Sequence, residues 1–241
     1  MEGTVLLSEL HPRASNMFNP LKQAEVWFGL LTKDDIAGLP QDGGVNYTKA
    51  IALIEQRCRE RNNALVLRDW AHFDYTGYPY HATPGYSPLL YAELKESFDI
   101  IRISTTRDPV TQWLSFMQLN VVRDPRQSGA FGLDQFLFGY RKFAELCVET
   151  GFVRFEDFLR NPELAMRRIC KQLQLKFDPS FIKKWPDYRT ISGDIVNPRG
   201  SNKIKMPPKR TIEPDLRKKF LANADYHQAC ELLGYDPLAK K

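Results

Sequence analysis

Apolar and polar positions fall into blocks along the chain, and the blocks predict strands separated by helices. Thr4 to Leu10 is a short β-rich run that stops at His11-Pro12. Asn19-Pro20 offers a capping side chain followed by a proline for the first helical position, which predicts a helix through Leu31. Lys49 to Arg61 carries Ile51, Ile54 and Cys58 near helical spacing, with charged residues opposite. Ala64 to Leu67 is a compact apolar strand, and Phe73 to Gly85, rich in Tyr, Pro and Gly, reads as a loop.

The same signals continue in the second half. Ser87-Pro88 opens a helix, Ile100 to Thr105 is a strand, and Asp108-Pro109 opens the helix that follows. A polar loop over 123–132 leads into an amphipathic helix from Leu133 to Glu149. A strand from Phe152 to Phe155 precedes a helix that opens at Asn161-Pro162 and runs to about Leu173. Beyond Phe177, Asp178-Pro179 and Glu213-Pro214 open short helices around an irregular stretch from Arg189 to Pro208. Alternating strands and helices predict an α/β fold with a largely parallel sheet flanked by helices.

Composition adds limits. At 241 residues, 43% hydrophobic and 26% charged, the chain predicts one globular domain over 1–241. No run reaches the ~18 apolar residues of a membrane span, and the first residues lack a basic region and a cleavage site, so a cytoplasmic protein is expected. The four cysteines, Cys58, Cys147, Cys170 and Cys230, are scattered without metal-ligand spacing, so they read as reduced thiols and no metal is expected.

The net charge of +5 is modest, but Arg199, Lys203, Lys205, Lys209, Arg210, Arg217, Lys218 and Lys219 form a basic run. It suits a small polyanion or a plain solvated face. It lacks a recognisable nucleic-acid module, and no nucleic-acid partner is expected.

Chemistry concentrates at one corner. In an open α/β sheet, ligands sit beyond the carboxyl ends of strands, where helix N-termini offer free N–H groups and a positive dipole. Arg107 follows a strand directly, Asp108 can cap the next helix, and Ser115 lies two helical turns beyond Asp108. Arg107 can fork two donors onto a phosphate and Ser115 can add a hydroxyl. Read from geometry alone, an arginine paired with a neighbouring carboxylate and an ordinary helix serine fit equally.

The run Thr106-Arg107-Asp108-Pro109 through Ser115 resembles the 3′-phosphate motif of the sulfotransferase family, with Ser eight positions after Arg. The resemblance implies that Arg107 and Ser115 hold the 3′-phosphate of 3′-phosphoadenosine 5′-phosphosulfate, the co-substrate. Val153 to Glu163 is similar to the family's strand, Glu-Asp-Leu turn and Pro-started helix, and Cys170 to Leu175 to that helix's end. Ile191 to Asp194 and Arg199 to Ile204 resemble the loop that closes over the nucleotide, which implies Arg199 and Gly200 beside the 3′-phosphate.

Ser8-Glu9-Leu10-His11-Pro12 resembles the second-strand element in which several branches of the family place a catalytic glutamate. That implies Glu9 as the base and His11 as an auxiliary; a solvent-exposed strand-end glutamate and a histidine packed beside a proline are the alternatives. His72 competes as the base because it follows the strand from Ala64, and Arg68 is a candidate contact to sulfate. The aromatic cluster from Trp70 to Tyr91 either lines an acceptor pocket or packs on the core.

The resemblance implies a P-loop-like fold that is N-terminally incomplete. Gly3-Thr4 before Val5-Leu6-Leu7 is at most a remnant of the phosphosulfate-binding turn, with no strand before it and no Lys or Arg beside it. The expected function is transfer of a sulfuryl group to a hydroxyl or amine of a small-molecule or glycan acceptor. A truncated or degenerate non-catalytic nucleotide-binding domain is an alternative. So is a P-loop kinase relative, although no G-x-x-x-x-G-K-[ST] run occurs. The acceptor's identity and the oligomeric state are not encoded in any motif.

Overall fold

Strand pairing begins at the first described residues. The computed structural model describes residues 3–14, 18–39, 46–77, 84–118, 132–187, 204–206, 208 and 210–239. In chain order the elements are β1 (Thr4–Leu10), α1 (Pro20–Phe28), α2 (Lys33–Ala37), α3 (Tyr47–Glu60), β2 (Ala64–Asp69) and α4 (Ala71–Tyr75). There follow α5 (Leu89–Leu94), β3 (Ser104–Thr106), α6 (Pro109–Phe116), α7 (Leu133–Thr150), β4 (Phe152–Arg154) and α8 (Phe155–Arg160). The last helices are α9 (Pro162–Gln172), α10 (Phe181–Lys184), α11 (Pro214–Ala222) and α12 (Ala224–Leu233).

The protein is mixed α/β, and both strand pairs are parallel. Among the described residues they form two separate two-stranded sheets rather than the one sheet that the sequence pattern predicts. The β3–β4 pair is short for a local reason: in this parallel register Ile100–Ile103 fall opposite the end of α7 and Gly151, and β4 gives way to α8 at Phe155, so pairing is confined to Ser104–Thr106, one residue past the expected Ile100–Thr105 strand. No helix among the described residues is long and apolar enough to cross a membrane.

The chain divides into two compact units. The first comprises Met1–Ala71, Pro88–Ile100 and Leu175–Lys203. Here β1 and β2 pair from Thr4↔Ala64 to Leu7↔Leu67, and the register then shifts before Leu10↔Asp69. Ala50, Ile51, Ile54 and Cys58 make one buried stripe on α3 and join Leu7, Leu10, Leu21 and Leu90 in a core. Each large apolar side chain buried in this way contributes about 1.5–3 kcal/mol.

The second unit comprises His72–Ser87, Ile101–Gln174 and Ile204–Lys241. Its core is α7 packed on α12: Phe136, Leu137, Tyr140 and Ala144 on one side, Tyr226, Ala229 and Leu233 on the other. Gly139 lets α7 approach α4 closely, because a β-carbon there would lie 1.9 Å from the Tyr75 carbonyl oxygen. The expected loop from Phe73 to Gly85 is therefore partly helical: α4 runs through Tyr75, and Phe73 and Tyr75 are buried. Burial of two aromatic side chains outweighs the loop-like composition of the segment.

Capping takes the expected form at three of the Asn-Pro and Asp-Pro pairs, whereas the helix expected at Asp178-Pro179 starts at Phe181 after Ser180, and the one expected at Ser87-Pro88 starts at Leu89 with Pro88 as its uncapped flank. Asn19 accepts from Leu21 and Lys22 amides, Asp108 from Thr111 and Asn161 from Leu164, each with proline at the first helical position.

Candidate functional site

The β3–α6 corner is fixed from several sides within the second unit. Thr106 ends β3, Asp108 caps α6 by accepting from the Thr111 amide at 2.7 Å, and Pro109 opens the helix. Tyr140 of α7 donates its hydroxyl to the Arg107 carbonyl. The Asp108 amide donates to Glu156 Oε1 at 3.0 Å. The Arg107 backbone is thus held on both sides by side chains from other helices, which leaves its side chain to carry the chemistry.

That side chain is a cation without a hydrogen-bonding counterpart at Nε. This atom is buried and has no hydrogen-bond partner among the described residues. The guanidinium carbon sits over the Phe155 ring, 5.2 Å from the centroid. Burial first, and then the like charge of Arg210, push the group below its ordinary value, with Glu156 and Asp108 acting in the opposite direction. Arginine stays protonated regardless. The consequence is an unmet demand for an anion, since a buried donor left unpaired costs about 1–3 kcal/mol.

Arg107 opens on a cavity of about 460 Å³ whose lining includes Thr105, Gln112, Arg154, Phe155, Phe158 and Ile169. Arg154 is spent internally: it pairs with both oxygens of Asp157, donates to the Gly234 carbonyl and lies over the Tyr235 ring. Gln112, one turn into α6, lines the cavity with Arg107. Ser115 is half-buried near the end of α6 and is not among the described lining residues. Gln112 was legible in principle, because it stands four residues after the capping Asp108 and so shares its face. Arg199 and Gly200 lie outside the described residues.

Glu9 and His11 belong to the first unit. Glu9 is 8% exposed and has φ of 54° inside a strand, the left-handed region that costs a non-glycine residue about 1–2 kcal/mol. The strain falls where the β1 register shifts. Arg68 of β2 holds Glu9 Oε1 at 3.1 Å and donates to Ser8 Oγ at 3.1 Å. Gln23 fixes the Ser8 backbone from both its amide and its carbonyl. Glu9 is therefore not a solvent-exposed strand-end residue. Arg68, a possible sulfate contact by its sequence position, is its ion-pair partner.

His11 is fully buried; its Nδ1 accepts from the Arg13 amide at 3.2 Å and its carbonyl accepts from the Tyr47 hydroxyl at 2.9 Å. His72 lies in the second unit. The Thr76 hydroxyl donates to the His72 carbonyl at 2.7 Å, so Thr76 Oγ1 accepts from Nδ1 at 3.1 Å. The His72 ring also meets Phe116 edge-on at 5.5 Å.

Of the aromatic cluster, Phe73 and Tyr75 pack in the core and Tyr86 meets Phe138 edge-on, while Tyr78 and Tyr80 lie outside the described residues. All four cysteines are buried. Among the described residues no cluster of three His, Cys, Asp or Glu side chains could hold a metal ion.

Comparisons with family models, curated proteins and solved structures find no match to this chain. The functional reading therefore stands on the site itself and on the motif resemblance.

Proposed function

We propose that this chain binds 3′-phosphoadenosine 5′-phosphosulfate through Arg107 and acts as a cytoplasmic sulfotransferase. The acceptor is a hydroxyl or amine of a small molecule or glycan. The observation that supports this most is the buried, unpartnered Nε of Arg107 at the carboxyl end of β3, beside a cavity. A phosphate is the ligand that satisfies it, because a guanidinium gives two parallel charge-assisted hydrogen bonds to two phosphate oxygens. Phe155 holds the guanidinium plane from one side, and the α6 dipole adds positive potential.

In this reading Arg107 anchors the 3′-phosphate, with Ser115 as the second member of the motif. Glu9, held by Arg68, takes the proton of the acceptor hydroxyl or amine as its oxygen or nitrogen bonds to sulfur and the bond from sulfur to the bridging oxygen breaks. The leaving group is 3′-phosphoadenosine 5′-phosphate. His11 is the auxiliary beside Glu9, and His72 is the competing base. Arginine and lysine donors meet the charge on the transferring group, with no metal assigned.

A binding-only domain shares the Arg107 anchor and dispenses with Glu9. Calorimetric titration with 3′-phosphoadenosine 5′-phosphate tests what the two readings have in common. Wild type is expected to bind, and Arg107→Ala to lose at least about tenfold in affinity. Equal affinities overturn the anchor, and a magnesium-dependent preference for ATP favours a kinase relative instead.

A further inference from the structure

An arginine that is to receive an external phosphate must first be kept from its own carboxylates. Among the described residues, Glu156 and Asp108 stand near Arg107. Asp108 is occupied by its cap, with Oδ1 on the Thr111 amide at 2.7 Å. Glu156 is occupied twice: Oε1 accepts from the Asp108 amide at 3.0 Å, and Oε2 accepts from the Tyr235 hydroxyl at 3.0 Å. Since Tyr235 gives its one proton to Glu156, the Thr106 hydroxyl must donate to Tyr235 at 3.1 Å. The result is a chain from the end of β3, through the tyrosine that follows α12, to the carboxylate beside the phosphate corner.

We propose that Tyr235 is a positioning residue for the anion site: by holding Glu156 Oε2 it keeps that carboxylate off the Arg107 guanidinium. The inference rests on the reading of Arg107 as a phosphate anchor. Three features carry it. Glu156 is one residue from Phe155, whose ring lies under the Arg107 guanidinium, and its Oε1 touches the residue after Arg107. Arg107 Nε is nevertheless without a hydrogen-bond partner among the described residues. Tyr235 is itself fixed, by the Arg154 guanidinium over its ring and by its own amide, which donates to the Cys230 carbonyl at 2.9 Å.

Without the Tyr235 hydroxyl, Oε2 loses its donor, and Arg107 Nε is an unsatisfied donor in the same corner. A Glu156–Arg107 pair would then compete with the phosphate for the same N–H groups. The neutral amide of a Glu156→Gln variant could not compete as a charge, yet its oxygen would still accept from the Asp108 amide. The carboxylate is thus the agent of inhibition and Tyr235 its restraint, which makes the effect reversible by a second substitution.

The test is calorimetric binding of 3′-phosphoadenosine 5′-phosphate by the full chain in four forms, with Arg107→Ala as control. Tyr235→Phe is expected to weaken binding by about fivefold to tenfold, the scale of one charge-assisted hydrogen bond. Glu156→Gln is expected to bind at least as tightly as wild type, and Tyr235→Phe/Glu156→Gln to return to the wild-type affinity. A double variant no better than Tyr235→Phe, or a Tyr235→Phe protein that binds like wild type, overturns the inference while leaving the Arg107 anchor standing. Should Tyr235→Phe fail to fold, Tyr235→Met, which likewise deletes the hydroxyl that donates to Glu156 Oε2, carries the same expectation, including rescue by Glu156→Gln. If wild type and Arg107→Ala bind alike, the anchor reading falls and the restraint falls with it.

Discussion

The guanidinium carbon of Arg107 lies 5.2 Å from the centroid of the Phe155 ring, the geometry of a cation–π contact. Phe155 is 38% exposed and lines the cavity with Arg107. Such a contact is worth about 0.5–2 kcal/mol depending on its desolvation. Phe155→Ala is therefore expected to weaken binding of 3′-phosphoadenosine 5′-phosphate by about threefold to tenfold. Phe155→Tyr should keep both the wild-type affinity and the wild-type melting profile. Calorimetry and thermal denaturation check the two halves separately.

Gly139 is where α7 leans on the Tyr75 carbonyl. Alanine would gain about 1 kcal/mol in helix propensity. A β-carbon 1.9 Å from that oxygen forces the helix away, however, and overpacking costs about 1–3 kcal/mol or more. The clash wins, so Gly139→Ala is expected to lose about 2 kcal/mol net, read as a lower urea midpoint.

Glu9 offers a test of stored strain. Glu9→Gly and Glu9→Ala both delete the pair with Arg68, but only alanine retains the penalty of φ at 54°. Glycine should be the more stable of the two by about 1 kcal/mol. Equal urea midpoints would show that the backbone at this position is unstrained.

Asp35 governs part of the acid limb. The Thr32 amide, followed by Arg57 and the Thr32 hydroxyl, holds its carboxyl down at about 2, against an ordinary value of 3.8. A depressed carboxylate stabilises the fold above its unfolded value, and that contribution is lost as pH falls through the window from 3.8 to about 2. Asp35→Asn should be less stable than wild type at pH 7, with the gap closing across that window. Urea midpoints at a series of pH values measure it.

Burial also pushes the thiols up, Cys58 and Cys230 to about 11 and Cys147 to about 12. The thiolate is the reactive form. Native protein at pH 8 should show no fast-reacting thiol with a disulfide reagent, and all four should react in denaturant.

The sequence revealed those parts of the fold that depend on local chemistry. Asn19-Pro20, Asp108-Pro109 and Asn161-Pro162 mark helix starts because cap and proline act within one turn. Other helices lack so clear a signal, α2 and α12 among them. α2 spans five residues, too few for a periodic stripe, and is held by the Thr32–Asp35 capping box. α12 carries its apolar residues behind the weaker signal of an Asn223 cap without proline.

The site divides in the same way. Arg107 could be read from its place after a strand. Ser115 shares the helix face by period, but seven residues also mean a rise of about 10 Å along the axis, and it is Gln112 that lines the cavity with Arg107. Glu156 and Tyr235 are 79 positions apart, and only tertiary packing joins them. The left-handed backbone of Glu9 has no sequence signal at all, because glycine or asparagine is the residue expected there.

The most direct test of the central claim is ³¹P NMR of 3′-phosphoadenosine 5′-phosphate titrated with wild type and with Arg107→Ala. The 3′-phosphate resonance should shift and broaden with wild type and stay unmoved with Arg107→Ala. A shift confined to the 5′-phosphate, or the same 3′ shift with both proteins, would contradict Arg107 as the 3′-phosphate anchor.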